Sequence, residues 1–141
     1  MYPGRPASYV FLALAKSPFF ATMATGQPVL DQIRNVEWVV EDIDGGGIID
    51  ASRVTLTFSD DGRLTGHASC NRYFANWTAE NGRLSIGQAM SSKMACAEAL
   101  MFQEHRFLSI LPQIEHYTLT SQGALVLETK DGRSLKAFPS G

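Results

Sequence analysis

Two rhythms alternate along the chain. From Arg53 to Phe58 the apolar residues Val54, Leu56 and Phe58 alternate with Thr55 and Thr57, the period of two expected of a strand with one buried face. Leu64, Gly66, Ala68 and Cys70 then share one face while Thr65, His67 and Ser69 share the other, and Asp60-Asp61-Gly62 supplies a tight turn, so the two runs form a hairpin. Upstream, the β-prone run from Val36 to Val40 around Trp38 ends in the flexible stretch Glu41 to Gly47. Asn81-Gly82, Gln122-Gly123 and Asp131-Gly132 mark further turns between short β-prone segments. Between Asn81-Gly82 and Gln122-Gly123 the period changes. Ala97, Leu100, Met101, Phe107, Leu108 and Leu111 recur at helical spacing from Cys96 until Pro112 stops the run, with Glu98 placed to complement the helix dipole.

Roughly seven to nine short strands with one helix predict a mainly β (α+β) fold: a curved antiparallel meander forming a small, partly open barrel, with one amphipathic helix packed on it. An α+β sandwich is the alternative. The domain is expected over residues 35–138, with residues 1–34 as an N-terminal extension. Within that extension an apolar stretch from Tyr9 to Ala15 precedes small residues at Ala21 to Ala24, as in a secretory signal. Only Arg5 charges its start, however, and Lys16 interrupts it, so a disordered extension or a misplaced start competes with that reading.

With 45% apolar residues, 141 residues are enough for one domain with its own core. Twelve basic and 14 acidic side chains give a net charge of -2, and the cations are scattered singly, which argues against a nucleic-acid partner. No apolar run reaches the roughly 18 residues of a membrane-spanning helix. The expected state is a monomer.

The segment HASCNRYFANW, from His67 to Trp77, crowds a cysteine, an asparagine, an arginine and three aromatic rings into one place. Together with Trp38, the hairpin VTLTFSDDGRLTGHASCNRYFANW, the segment SSKMAC from Ser91 to Cys96 and the helix after it, this segment resembles the META domain family. The resemblance implies structural motif positions at Trp38, Gly66, Asn71, Ser92 and Met94. It also implies a small stress- or envelope-associated domain, related to bacterial heat-inducible proteins, some linked to antibiotic tolerance or virulence, with no general enzymatic activity. Two departures stand out: the family commonly has glycine where this chain has Ser69 and Ala75, and a left-handed backbone at either position costs roughly 1 kcal/mol in strain.

Cys70 and Cys96 are the only cysteines. They read as a disulfide joining sheet to helix start in an oxidising compartment, or as two buried thiols, and the absence of CxxC argues against a thioredoxin-like catalyst. A nucleophilic Cys70 or Cys96 would need His67 or His105 as its base. His67, His105 and His116 are dispersed and lack metal-ligand spacing, and Asp42, Asp44 and Asp50 around three glycines lack the ligands of a calcium loop, so neither metal nor cofactor is expected. No GxSxG, P-loop or GxGxxG element occurs.

Asn71 at a strand end is expected to bond turn backbone. Tyr73 and Trp77 share a strand face, Phe74 takes the other, and Arg72 can stack on a ring or grip a partner's carboxylate. Arg72, Tyr73 and Trp77 are therefore the candidate binding residues. The function expected is a non-enzymatic stress- or envelope-associated module, periplasmic unless the N-terminal segment is no signal, that binds a protein or a small ligand at a barrel mouth. The alternatives are a hydrolase using Cys70 or His67 with Arg72 stabilising an anion, and an inhibitor of a foreign hydrolase.

Overall fold

Tight turns at glycine set the connections. In the computed structural model, which describes residues 27–141, Gly62, Gly82, Gly123 and Gly132 adopt φ of +84°, +83°, +86° and +90°, and each lies in a short turn between consecutive antiparallel strands. The strands are β1 (Glu37–Ile43), β2 (Thr55–Phe58), β3 (Arg63–His67), β4 (Arg72–Glu80), β5 (Arg83–Ile86), β6 (Met90–Ser91), β7 (Ile114–Leu119), β8 (Leu125–Thr129) and β9 (Ser134–Pro139). Two helices, α1 (Gln27–Ile33) and α2 (Glu98–Ile110), complete the described chain, with a 3-10 turn at Leu111–Gln113 after α2. The signal-like stretch within residues 1–26 lies outside the described residues.

The sheet runs β3-β2-β1-β9-β8-β7-β5-β4, and β4 returns to pair with β3. The result is a closed eight-stranded antiparallel barrel, with β6 added along β4 and α2 packed on it. The ring therefore goes further than the partly open barrel the pattern predicts. Closure depends on β9 folding back onto β1, Phe138 opposite Val39, a pairing between chain ends that no local pattern reveals. The thinnest seam is β5 to β7, held in register only at Arg83 opposite His116.

Alternation decides what goes inside. Along β4, Tyr73, Ala75 and Trp77 are buried while Arg72, Phe74, Asn76 and Thr78 are exposed. Phe58, Leu56, Leu64, Val40, Leu125, Leu127 and Leu135 fill the centre from the other strands. Phe58 meets Trp77 edge-on at 5.4 Å. The interior is packed: the gap among Leu30, Ile33, Phe58, Trp77, Leu84, Tyr117 and Leu127 is about 10 Å³, too little to hold a ligand.

Each end of the barrel carries a helix. Helix α1, upstream of residue 35 where the pattern starts the domain, buries Leu30 and Ile33 beside Phe58, and Trp38 Nε1 donates to the Ile33 carbonyl at 2.9 Å. Helix α2 sits at the opposite end, with the Phe107 ring edge-on to Tyr73 at 5.4 Å. Its buried face is Gln103, Phe107 and Ile110, continued by Leu111, whereas Ala97 and Met101 from the anticipated stripe are exposed. Phe107, Ile110 and Leu111 fix the rotation of the helix, and one turn back that rotation brings Gln103 inward instead of Met101.

Candidate functional site

The link between β3 and β4 is where the sequence cluster lies, and α2 is latched to it by polar side chains. Glu104 Oε1 accepts the backbone N–H groups of Cys70 at 3.0 Å and Asn71 at 2.6 Å, and Oε2 accepts Asn71 Nδ2 at 2.8 Å. Asn71, buried to 4% exposure, uses its other atom on the segment before α2: Oδ1 accepts the Met94 N–H at 2.7 Å and the Ser92 hydroxyl at 3.0 Å. The Asn71 side chain thus bonds α2 and the 92–94 segment, and not the turn backbone expected from its strand-end position. Gln103 Oε1 accepts the Ile49 N–H at 2.8 Å, and its Nε2 donates to Ser52 Oγ at 2.9 Å and Ser69 Oγ at 3.2 Å. Arg106 donates to the Ile43 carbonyl at 3.2 Å. One helix thus holds the β1–β2 and β3–β4 loops at this end of the barrel and, through Asn71, the 92–94 segment.

Cys70 and Cys96 are joined by a disulfide, with their Cα atoms 6.0 Å apart, so the covalent link runs parallel to the Glu104–Asn71 bonds. No free cysteine remains. Ser69, standing where the family commonly has glycine, takes φ of +88°, so the strain foreseen at that position is present and its hydroxyl bond to Gln103 offsets part of it. Ala75 has no such backbone. Gly66 is required for a different reason: a Cβ there would lie 2.2 Å from the Thr55 carbonyl oxygen.

Of the predicted binding residues, Tyr73 and Trp77 lie inside the barrel. The Tyr73 hydroxyl donates to the Thr55 carbonyl at 2.7 Å, and burial pushes its pKa well above the usual phenol value. Trp77 Nε1 donates to the carbonyls of Ser59 and Arg63, both at 3.1 Å. Only Arg72 reaches solvent, where it donates to His67 Nε2 at 3.1 Å across the β3–β4 pair. The cation stacked on Phe74 is Arg63, 4.8 Å from the ring centroid. His105 and His116 are exposed. Asp42 accepts the N–H groups of Gly45 and Gly47, each at 2.7 Å, and so closes the glycine loop. No group of three or more His, Cys, Asp or Glu side chains set to hold a metal occurs among the described residues.

Sequence reasoning did not single out Gln103 and Glu104. The only available signal is that Gln103 lies four residues before Phe107, a polar side chain on the buried stripe of α2.

Among the described residues, open surface grooves around the packed core include three. One, about 490 Å³, lies at the β5–β7 seam and includes Arg83, Pro112, Ile114 and Glu115. A second, about 270 Å³, is bounded by Gly46 to Ile49 and by Ala99, Phe102, Gln103 and Arg106. The third, about 450 Å³, lies on the outer wall over β3, β4 and β6 and is lined by Arg63, Thr65, Arg72, Tyr73, Phe74 and residues 90–92. The exposed large apolar side chains Phe74, Met90, Met94, Ile49, Met101 and Phe102 all belong to elements at the α2 end of the barrel or the wall beside it.

A family model described as META domain matches residues 31–141. No curated protein matches the chain. A solved structure, an NMR structure of a protein from Burkholderia xenovorans, is similar at 21% identity with a TM-score of 0.66, covering 92% of this chain and 99% of that one. A second NMR structure is similar at 21% identity with a TM-score of 0.61, covering 77% of this chain and 92% of its own. At that identity the two neighbours show a shared fold.

Proposed function

The chain belongs to the META domain family, and on that premise we propose that it is a non-enzymatic, stress- or envelope-associated module that binds a partner on the outer wall of its barrel. The observation that carries this reading is the filled interior: a 10 Å³ gap leaves no lumen for a ligand, so recognition falls to the exposed Phe74, Met90 and Met94 and the cations near them. The Cys70–Cys96 bond supports it from the other side, because a sulfur in a disulfide is not available as the nucleophile of the rival hydrolase reading. His67, the other candidate for that chemistry, has its Nε2 bonded to the Arg72 guanidinium. An oxidising compartment such as the periplasm suits a structural disulfide. Among the described residues no helix is long and apolar enough to cross a membrane.

The test is turnover. The disulfide-intact protein is incubated with chromogenic esters, amides, phosphoesters and glycosides beside a heat-denatured control, and in parallel with iodoacetamide. No turnover above the control and no alkylation are expected. Turnover abolished by Cys70→Ser or His67→Ala would overturn the reading.

A further inference from the structure

The groove on the outer wall has a feature that the other two lack: one side of it is a free sheet edge. Strand β6 pairs with β4 alone, Phe74 opposite Met90 and Tyr73 opposite Ser91, and pairs with no further strand among the described residues. The Arg72 carbonyl accepts the Ser92 N–H at 3.1 Å. In an antiparallel pair, hydrogen-bonded and non-hydrogen-bonded positions alternate, so the N–H and C=O of Ser91 point away from β4, toward the unoccupied edge. Around that edge the exposed apolar surface is Phe74 at 39% and Met90 at 63%. The charged side chains lining the groove are Arg63 and Arg72, and Lys93 follows the strand with its Nζ 3.5 Å from Ser91 Oγ. None of the three has a carboxylate within ion-pairing distance among the described residues, although the chain as a whole carries a net charge of -2.

Resting on the reading of the protein as a binding module, we propose that the free edge of β6, at the side of this groove, receives an extended segment of a partner protein that adds as a strand and carries acidic side chains flanking an apolar one. The partner's backbone bonds the outward N–H and C=O of Ser91, its apolar side chain lies against Met90 and Phe74, and its carboxylates meet Arg63, Arg72 and Lys93. Side chains on one face of a strand recur every second residue, so the recognised pattern is acid-x-apolar-x-acid.

The test is selection from a phage-displayed library of random peptides on the immobilised, disulfide-intact protein, followed by affinity measurement of the winning sequences. The variants are Arg63→Glu/Arg72→Glu, which inverts two exposed charges, and Ser91→Pro, which removes an outward N–H that β4 does not use. Thermal melts matching the parent establish that each is folded. Acid-x-apolar-x-acid sequences are expected to win, with affinity reduced by at least about tenfold in each variant and reduced by added salt. No enrichment, winners without acidic residues, or affinity retained in either variant would overturn the proposal. Winners indifferent to both variants bind elsewhere, which overturns this site while leaving the binding-module reading standing; the turnover assay tests the latter independently.

Discussion

Replacing Glu104 by Gln changes one oxygen to a nitrogen and removes one charge, yet its consequence is large if α2 is latched as the geometry shows. The carbonyl of the introduced amide takes over the place of Oε1 and still accepts the Cys70 and Asn71 N–H groups, through a neutral acceptor. Its NH2 group, however, faces Asn71 Nδ2, donor against donor at what is now a 2.8 Å bond. Asn71 cannot flip to relieve this, because Oδ1 is held by the Met94 N–H and the Ser92 hydroxyl. Hydrogen bonds to charged groups contribute about 1.5–3 kcal/mol each, so losing one and weakening two costs about 2–3 kcal/mol. For a domain of this size that is a fall in melting temperature of roughly 8–12 °C. The assay is thermal unfolding by circular dichroism with the disulfide intact. Adding Asn71→Asp to Glu104→Gln restores the donor–acceptor match with residue 104, since one oxygen of the new carboxylate accepts from the introduced amide NH2 while the other still serves Met94 and Ser92, at the loss of the 3.3 Å bond that Asn71 Nδ2 gives the Met94 carbonyl. The double variant is expected to recover about 1 kcal/mol through coupling of the two sites. A melting temperature within about 1 °C of the parent for Glu104→Gln, or strictly additive effects in the double variant, would refute the reasoning.

Removing the crosslink with Cys70→Ala/Cys96→Ala opens a loop of 26 residues and is expected to cost about 3.5 kcal/mol by loop entropy, measured as a shift in urea midpoint at constant slope. Gly66→Ala drives a Cβ to 2.2 Å from the Thr55 carbonyl oxygen, a backbone atom in a closed sheet, and is expected to cost at least about 3 kcal/mol or abolish folding in the same assay. Tyr73 has a folded pKa raised by burial, so its contribution is fully present below the unfolded phenol value of about 10 and is lost as pH rises toward the folded value, where the unfolded chain ionises first. Urea midpoints should therefore fall above about pH 10, and Tyr73→Phe should flatten that fall while lowering neutral-pH stability by about 1 kcal/mol for the lost bond to Thr55.

Local pattern carried much of this fold. Val54, Leu56 and Phe58 alternate because β2 has one face in the core, and the Gly62, Gly82, Gly123 and Gly132 turns fall where positive φ is needed. The shared face of Tyr73 and Trp77 was equally legible, and it is the core face. What stayed hidden is non-local. Closure by β9 on β1 joins the first and last strands of the sequence, and helix α1 buries only Leu30 and Ile33, too short an apolar pattern to stand out. Glu104 and Gln103 read as ordinary helix polar residues because their partners, at Ser52, Ser69 and Asn71, come from more than thirty positions upstream. Arg63 takes the ring of Phe74 because it lies diagonally across the β3–β4 pair, a neighbour defined by register and not by sequence distance.

The cluster around Cys70 builds a clamp between barrel and helix, and its most direct test is peptide mapping by mass spectrometry on protein purified from an oxidising compartment, alkylated in the native state and digested without reductant. One crosslinked species joining the peptides of Cys70 and Cys96, with no alkylated cysteine, is the predicted result. Two separately alkylated peptides would contradict it.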